Sequence, residues 1–181
     1  SGVSPLSPLD SLQAVLDRYD LEGGDTVLVD AGNYAGAGSR ITIHQLDGGS
    51  SLAPVRFAGV EALGASSTRF ENHGLYLDQT RGVTFESLTI AMGAGVEGTG
   101  IDVQSATNTM IRNVAITGNP GKGLNVVRSA DIQVERTIFR GATTNGIAHE
   151  SGSLAVSVVN SVIWSNRIGV SGGAGLSVRN S

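Results

Sequence analysis

The sequence predicts an all-β solenoid made of triangular coils of 23 residues, closed at its N-terminal end by one amphipathic helix. Three observations carry this expectation. Gly74, Gly100, Gly123, Gly146 and Gly169 each precede a short apolar strand, and the last four are spaced 23 residues apart, a period that marks repeat architectures. From Asp25 onward the apolar residues come in short alternating bursts separated by Gly, Asn, Ser or Asp, which is strand-then-turn chemistry. The 181 residues include 26 glycines but only four Phe, three Tyr and one Trp, so the core must be assembled from Val, Ile, Leu and Ala in thin, regular layers.

Residues 1–6 carry Ser, Gly and Pro and form a lead-in arm. Ser7 can cap a helix, Pro8 fits its first position, and Asp10 stands in the first turn, where the helix dipole favours an acid. Leu9, Leu12, Val15, Leu16 and Tyr19 then fall on one face at helical spacing. A helix over about residues 8–20 follows, ended by Glu22-Gly23-Gly24. Residues 1–23 are therefore the arm and capping helix, and residues 24–181 a solenoid of about six coils. The helix covers the first coil, whose apolar interior and unpaired strand edge would otherwise meet water.

Each repeat contains a strand after the glycine, a polar turn, a second strand (Val83–Phe85, Met110–Ile111, Ile132–Val134, Val156–Val158), a polar corner and a third strand ending at Ile90, Ile116, Phe139 or Ile163. Alternate residues of a strand face inward. Leu75, Ile101, Leu124, Ile147 and Val170 thus form one ladder and Leu77, Val103 and Val126 the next, with coils stacked in parallel about 4.8 Å apart. Ser87, Asn113, Arg136 and Asn160 mark one corner, where a left-handed backbone suits Asn. The repeating glycines mark another, through positive φ or close backbone approach. The fourth coil departs from the pattern: it needs an extra residue before Val158, and His149 takes the position of Leu77, Val103 and Val126. After Val170 the sequence runs part-way through a coil, which predicts an apparently truncated C-terminal end, covered by further coils of the same chain or by an edge-to-edge partner.

Composition excludes some partners. A formal charge of −4, with Lys122 the one lysine beside eleven arginines, does not supply the broad basic surface of a non-specific nucleic-acid binder. No apolar run reaches the length of a membrane span. There are no cysteines, hence no disulfides and no thiolate metal site.

The repeats, together with the opening Gly24-Asp25-Thr26-Val27-Leu28-Val29-Asp30-Ala31-Gly32-Asn33-Tyr34 and the helix before it, resemble the parallel β-helix (PbH1-type) proteins of the pectin-lyase-like superfamily over residues 8–181. The resemblance implies a right-handed single-stranded parallel β-helix from a secreted or cell-surface, bacterial protein. It implies no single activity, because the superfamily spans polysaccharide lyases, hydrolases, epimerases, phage tailspikes and modules without catalysis.

In that superfamily polysaccharide is held on the outer face of the strand after each glycine. The corresponding substrate-binding candidates are Tyr76, Asp78, Asp102, Gln104, Asn125 and Glu150. Asp78 and Asp102 lie on adjacent coils, offset by two residues and about 8 Å apart, a separation at which two carboxylates can share acid and base work or a cation. With Arg128 they are the catalytic candidates, and Arg81 and Arg128 in the following turn can face an acidic sugar. Against this, outward Asp, Asn and Gln are ordinary on any solenoid. Gly146-Ile147-Ala148-His149-Glu150 lacks the Asp-Pro of the mannuronan-epimerase motif, and clustered hydrolase aspartates are missing. The expectation is a non-catalytic module acting as rigid spacer or carbohydrate-contacting surface, with no cofactor and no metal. The alternative is the N-terminal part of a lyase or epimerase acting on acidic polysaccharide, for which calcium would be the cation.

Overall fold

The computed structural model describes residues 9–36, 40–62, 65–93, 98–118 and 121–181; Ser7, Pro8 and the lead-in arm lie outside them. The described chain winds through three parallel sheets, each coil giving one strand to each. Sheet 1 stacks Arg40–Ile43, Gly74–Asp78, Thr99–Gln104, Lys122–Val127, Asn145–His149 and Ile168–Ser171. Sheet 2 stacks Thr26–Val29, Val55–Gly59, Arg81–Glu86, Thr107–Arg112, Ala130–Glu135, Leu154–Val159 and Leu176–Arg179. Sheet 3 stacks Gly32–Ala35, Thr68–Glu71, Thr89–Ala91, Ala115–Thr117, Ile138–Arg140 and Val162–Trp164. Among the described residues one antiparallel pair, Glu61–Ala62 with Ala65–Ser66, departs from the parallel pattern.

The register puts like over like inside. Ile41, Leu75, Ile101, Leu124, Ile147 and Val170 align in sheet 1, with Ile43, Leu77, Val103, Val126 and His149 beside them. Sheet 2 contributes Phe57, Phe85, Ile111, Val134 and Val158, and sheet 3 Tyr34, Phe70, Ile90, Ile116, Phe139 and Ile163. The Phe57 and Phe85 rings stack with centroids 5.4 Å apart. Leu124, Ile101 and Val126 are fully buried, and each such side chain contributes about 1.5–3 kcal/mol through the water it leaves.

The helix differs from its expected span. It is one short segment, α1 (Leu12–Leu16), capped by Ser11 rather than Ser7, with Ala14 N–H donating to Ser11 Oγ at 3.1 Å. Ser11 stands directly before the apolar face, so its hydroxyl meets the first free N–H groups, and Asp10 falls ahead of the helix instead of in its first turn. The covering role is local and chemical. Leu12 is buried, Val15, Leu16 and Tyr19 pack on the core, and Gln13 Oε1 accepts the N–H of Thr42 at 3.0 Å on the first strand of sheet 1.

The backbone explains both corner signatures. Ser87, Asn113, Arg136 and Asn160, between sheets 2 and 3, all lie at positive φ of 47–55°, and Gln79, Ser105 and Arg128 do the same between sheets 1 and 2. The framing glycines do not take positive φ. A Cβ on Gly74 would lie 2.4 Å from the Thr99 carbonyl oxygen, on Gly123 2.4 Å from that of Gly146, and on Gly146 2.7 Å from that of Gly169, so close approach of the next coil selects glycine there. A further left-handed column, Gly82, Asn108, Asp131, Ala155 and Gly175, bends the start of successive sheet 2 strands.

Two outcomes follow. Leu124→Asp places an unpaired charge in a fully enclosed ladder and lowers stability by about 4 kcal/mol or more; an unchanged melting temperature would contradict the inward register. Ala155, exposed at φ 52°, carries a left-handed strain that Asn tolerates, so Ala155→Asn adds about 1 kcal/mol of stability, read as a higher urea midpoint at unchanged m-value.

Candidate functional site

With Leu75 and Leu77 turned inward, strand alternation turns Tyr76 and Asp78 outward. Parallel pairing then lines up Thr42, Tyr76, Asp102, Asn125, Ala148 and Ser171 across the outer face of sheet 1, with Asp78, Gln104 and Val127 in the next outward column. This face brings five of the six binding candidates onto three neighbouring strands. Glu150 follows the next strand, Asn145–His149, and is tied back to Lys122–Val127, its N–H donating to the Val126 carbonyl at 2.8 Å.

The side chains form one connected ladder. Arg40 lays its guanidinium 5.2 Å above the Tyr76 ring and reaches 4.0 Å from Asp102 Oδ2. Gln104 Nε2 donates to Asp102 Oδ2 at 3.2 Å, and Asn125 Nδ2 donates to Oδ1 at 2.9 Å. Lys122 Nζ donates to Asn125 Oδ1 at 2.9 Å and pairs with Glu150; Asn145 Nδ2 donates to Ser171 Oγ at 2.8 Å. Asp102 is only 5% and Asn125 7% exposed, although both point away from the core, because neighbouring polar side chains cover them.

This geometry limits the chemistry. Asp78 and Asp102 keep the two-residue offset, Asp78 opposite Gln104 and Asp102 opposite Tyr76. Asp102, however, has both oxygens engaged and little solvent, which suits positioning better than proton abstraction. Burial pushes the Tyr76 phenol above its ordinary value; the charges of Asp78 and Asp102 add to the rise and those of Arg40 and Arg128 oppose it. The hydroxyl is therefore a neutral hydrogen-bonding group at physiological pH. Arg128 sits exposed on the left-handed corner, close enough for its charge to act on Tyr76, whereas Arg81 opens the next strand on sheet 2. Calcium takes about six to eight oxygens. Asp78 and Asp102 do not fit that demand, and among the described residues no three His, Asp or Glu side chains could hold a metal.

His149 closes an interior column above Val126. It is buried, its Nε2–H meets the Ser153 carbonyl at 3.1 Å, and Nδ1 has no partner among the described residues.

Sequence reasoning passed over Arg40 and Lys122, the cations of this ladder. Arg40 was legible, since Arg40-Ile41-Thr42-Ile43 alternates and puts Arg40 outward with Thr42. Lys122 precedes its glycine, outside the strand as read from sequence. Also unread was a charge ladder on the outer face of sheet 2, where Arg56 Nη2 and Arg112 Nη2 donate to the same Glu86 Oε2 at 2.7 and 2.8 Å. Burial alone would raise the Glu86 carboxyl, but hydrogen bonds and charges from both arginines outweigh it and hold the group below its ordinary 4.5.

That depression sets a pH dependence. A carboxylate with a lowered folded-state pKa contributes stability that is complete above its unfolded value and is lost as pH falls through the folded one. Glu86→Gln therefore costs about 1 kcal/mol at neutral pH, modest because the arginines are partly exposed. The gap from the unmodified protein closes below about pH 4, as urea midpoints across pH will register.

Comparison with known proteins agrees with this architecture. ORF18 of Geobacillus virus E2 superposes with a TM-score of 0.66 at 13% identity, covering 98% of this chain and 38% of that one. The catalytic domain of a GH87 α-1,3-glucanase in complex with nigerose gives 0.64 at 14% identity, over 86% of this chain and 27% of that one. Pectate lyase Pel9A gives 0.55 at 18% identity, over 92% and 51%. The chain thus spans about a quarter to a half of the length of these structures, and the likeness is one of fold. Curated protein sequences give no match. Residues 48–181 match the family described as right handed beta helix region; the chain belongs to that family, and its solenoid is a right-handed parallel β-helix.

Proposed function

We propose that this chain is a carbohydrate-contacting β-helix module of a secreted or cell-surface protein, holding polysaccharide along the outer face of sheet 1 without cleaving it. The observation that carries the proposal is the ladder from Arg40 through Tyr76, Asp102 and Asn125 to Lys122 and Glu150. It offers amide, hydroxyl and charged groups at strand spacing beside a half-buried aromatic ring, the mixture that takes up sugar hydroxyls and ring C–H groups. Its central carboxylate is already bonded on both oxygens, which favours contact over proton transfer. The fold it shares with polysaccharide lyases and hydrolases supports a glycan as partner. A stiff solenoid also suits a spacer.

One observation favours a second reading, the N-terminal part of a lyase or epimerase on acidic polysaccharide. Asp78, Asp102, Arg40 and Arg128 all act electrostatically on the Tyr76 phenol, so a uronate beside Tyr76 would meet two acids and two cations.

A single experiment separates them. Retention on immobilised polyuronate and neutral glucan is measured alongside ultraviolet absorbance of unsaturated products. The contact reading expects retention that Tyr76→Ala weakens about tenfold, with no absorbance change. Product formation abolished by Asp78→Asn would replace it with the enzyme reading. Absence of retention on every glycan would leave only the spacer role.

A further inference from the structure

The outer face of sheet 2 carries a groove of about 290 Å³ that the sheet 1 ladder does not use. Its floor is an outward column in which Arg56, Thr84, Met110 and Gln133 align on four successive strands. Three strand spacings make the floor about 14 Å long, parallel to the solenoid axis. One wall is the loop holding Ser50 and Ser51, which can lie this close because Gly82 beneath it has no side chain: a Cβ there would sit 2.5 Å from Ser50 N and O.

The groove is electrically lopsided. The guanidiniums of Arg56 and Arg112 both lean on one oxygen, Glu86 Oε2, and among the described residues these groups make no other hydrogen bond; Arg112 Nε is buried without an acceptor. Two guanidiniums sharing a single oxygen leave most of their donors free, and free guanidinium donors on one side select a carboxylate. Asp131 borders the far end of the groove. There it accepts hydroxyl protons and repels a second negative charge. Ser50, Thr84 and Gln133 supply hydroxyl and amide partners, and Met110 gives an apolar patch for ring C–H groups. The local charges cancel, Arg56 and Arg112 against Glu86 and Asp131, while Glu135 opposite Arg112 is paired with Arg136, which disfavours a dianion.

We infer that this groove is a binding site for a hydroxylated monocarboxylate, a single uronate residue or a sugar acid, with its carboxylate on Arg56 and Arg112 and its hydroxyls toward Asp131. The source is a free sugar acid or a uronate unit of a longer chain, and both present the same chemistry to these residues. The site is separate from the sheet 1 face and does not depend on it.

The test is calorimetric titration of the full chain with glucuronate, an oligouronate, glucose, acetate and inorganic phosphate, read with amide NMR shifts at Thr84, Met110 and Gln133. Saturable glucuronate binding that shifts these amides is expected. Arg56→Gln, which keeps the Arg112–Glu86 pair and hence the fold, should weaken it at least tenfold; Tyr76→Ala should leave it unchanged. Stronger binding of the oligouronate, equally lost in Arg56→Gln, assigns the site to a chain, and equal affinity assigns it to a free sugar acid. Glucose, acetate or phosphate binding as tightly as glucuronate, or glucuronate binding unmoved by Arg56→Gln, would overturn the proposal. So would shifts confined to sheet 1.

Discussion

Stacking of parallel strands at one fixed spacing constrains everything else in this molecule. Each coil gives its N–H and C=O groups to the coils above and below, so no coil holds its backbone alone and every residue is judged against the residue about 4.8 Å away in the next layer. Inside, that demand is met by repetition: Ile over Leu over Ile, Phe over Phe, with flat aliphatic or aromatic surfaces in contact. The framing glycines answer the same demand. Their backbone conformation is ordinary, and at Gly74, Gly123 and Gly146 what excludes a side chain is a carbonyl of the next coil.

Outside, the same spacing has the opposite consequence, because like charges stacked at strand distance repel. The outer faces accordingly alternate. On sheet 2 Glu86 stands opposite Arg112, which stands opposite Glu135. On sheet 1 Asp102 faces Tyr76 on one side and Asn125 on the other, where another acid would be costly. A face built this way is held rigid by its own hydrogen bonds, so ligand binding would order few additional rotamers. The same bonds occupy the acids that a hydrolytic or eliminating site would need free.

The architecture was largely legible because its period is written in single residues. Glycine spacing, inward alternation and the corners at Ser87, Asn113, Arg136 and Asn160 each follow from one coil's sequence repeated. What escaped depends on contacts between residues far apart in the chain. The 23-residue period sets Asn125 beside Asp102, but nothing near Asp102 announces that Arg40, far upstream, will reach it as well. The Arg56–Glu86–Arg112 bridge likewise spans three coils. The helix start was misplaced for a different reason: Ser7 and Ser11 both satisfy capping chemistry, and the choice falls to whichever puts Leu12 into the core.

The triangular section separates the two outward faces at the corner occupied by Gln79, Ser105 and Arg128. Left-handed backbone there turns the chain within a few residues, so in those three coils sheets 1 and 2 meet without a loop, whereas in the first coil residues 44–54 join them. A ligand lying along one face runs parallel to the axis and crosses successive coils, meeting one side chain from each strand about every 4.8 Å. Recognition on such a surface is set by the order of residues in a column rather than by the shape of a pocket. Sheet 2 is the exception, and the reason is again a glycine: Gly82 allows the Ser50–Ser51 loop to rise beside an outward column and turn part of a flat face into a groove. A long ligand suits the open column of sheet 1, and a short one the walled column of sheet 2. On the proposed reading the two faces would take ligands of different length even though both are built from the same repeat.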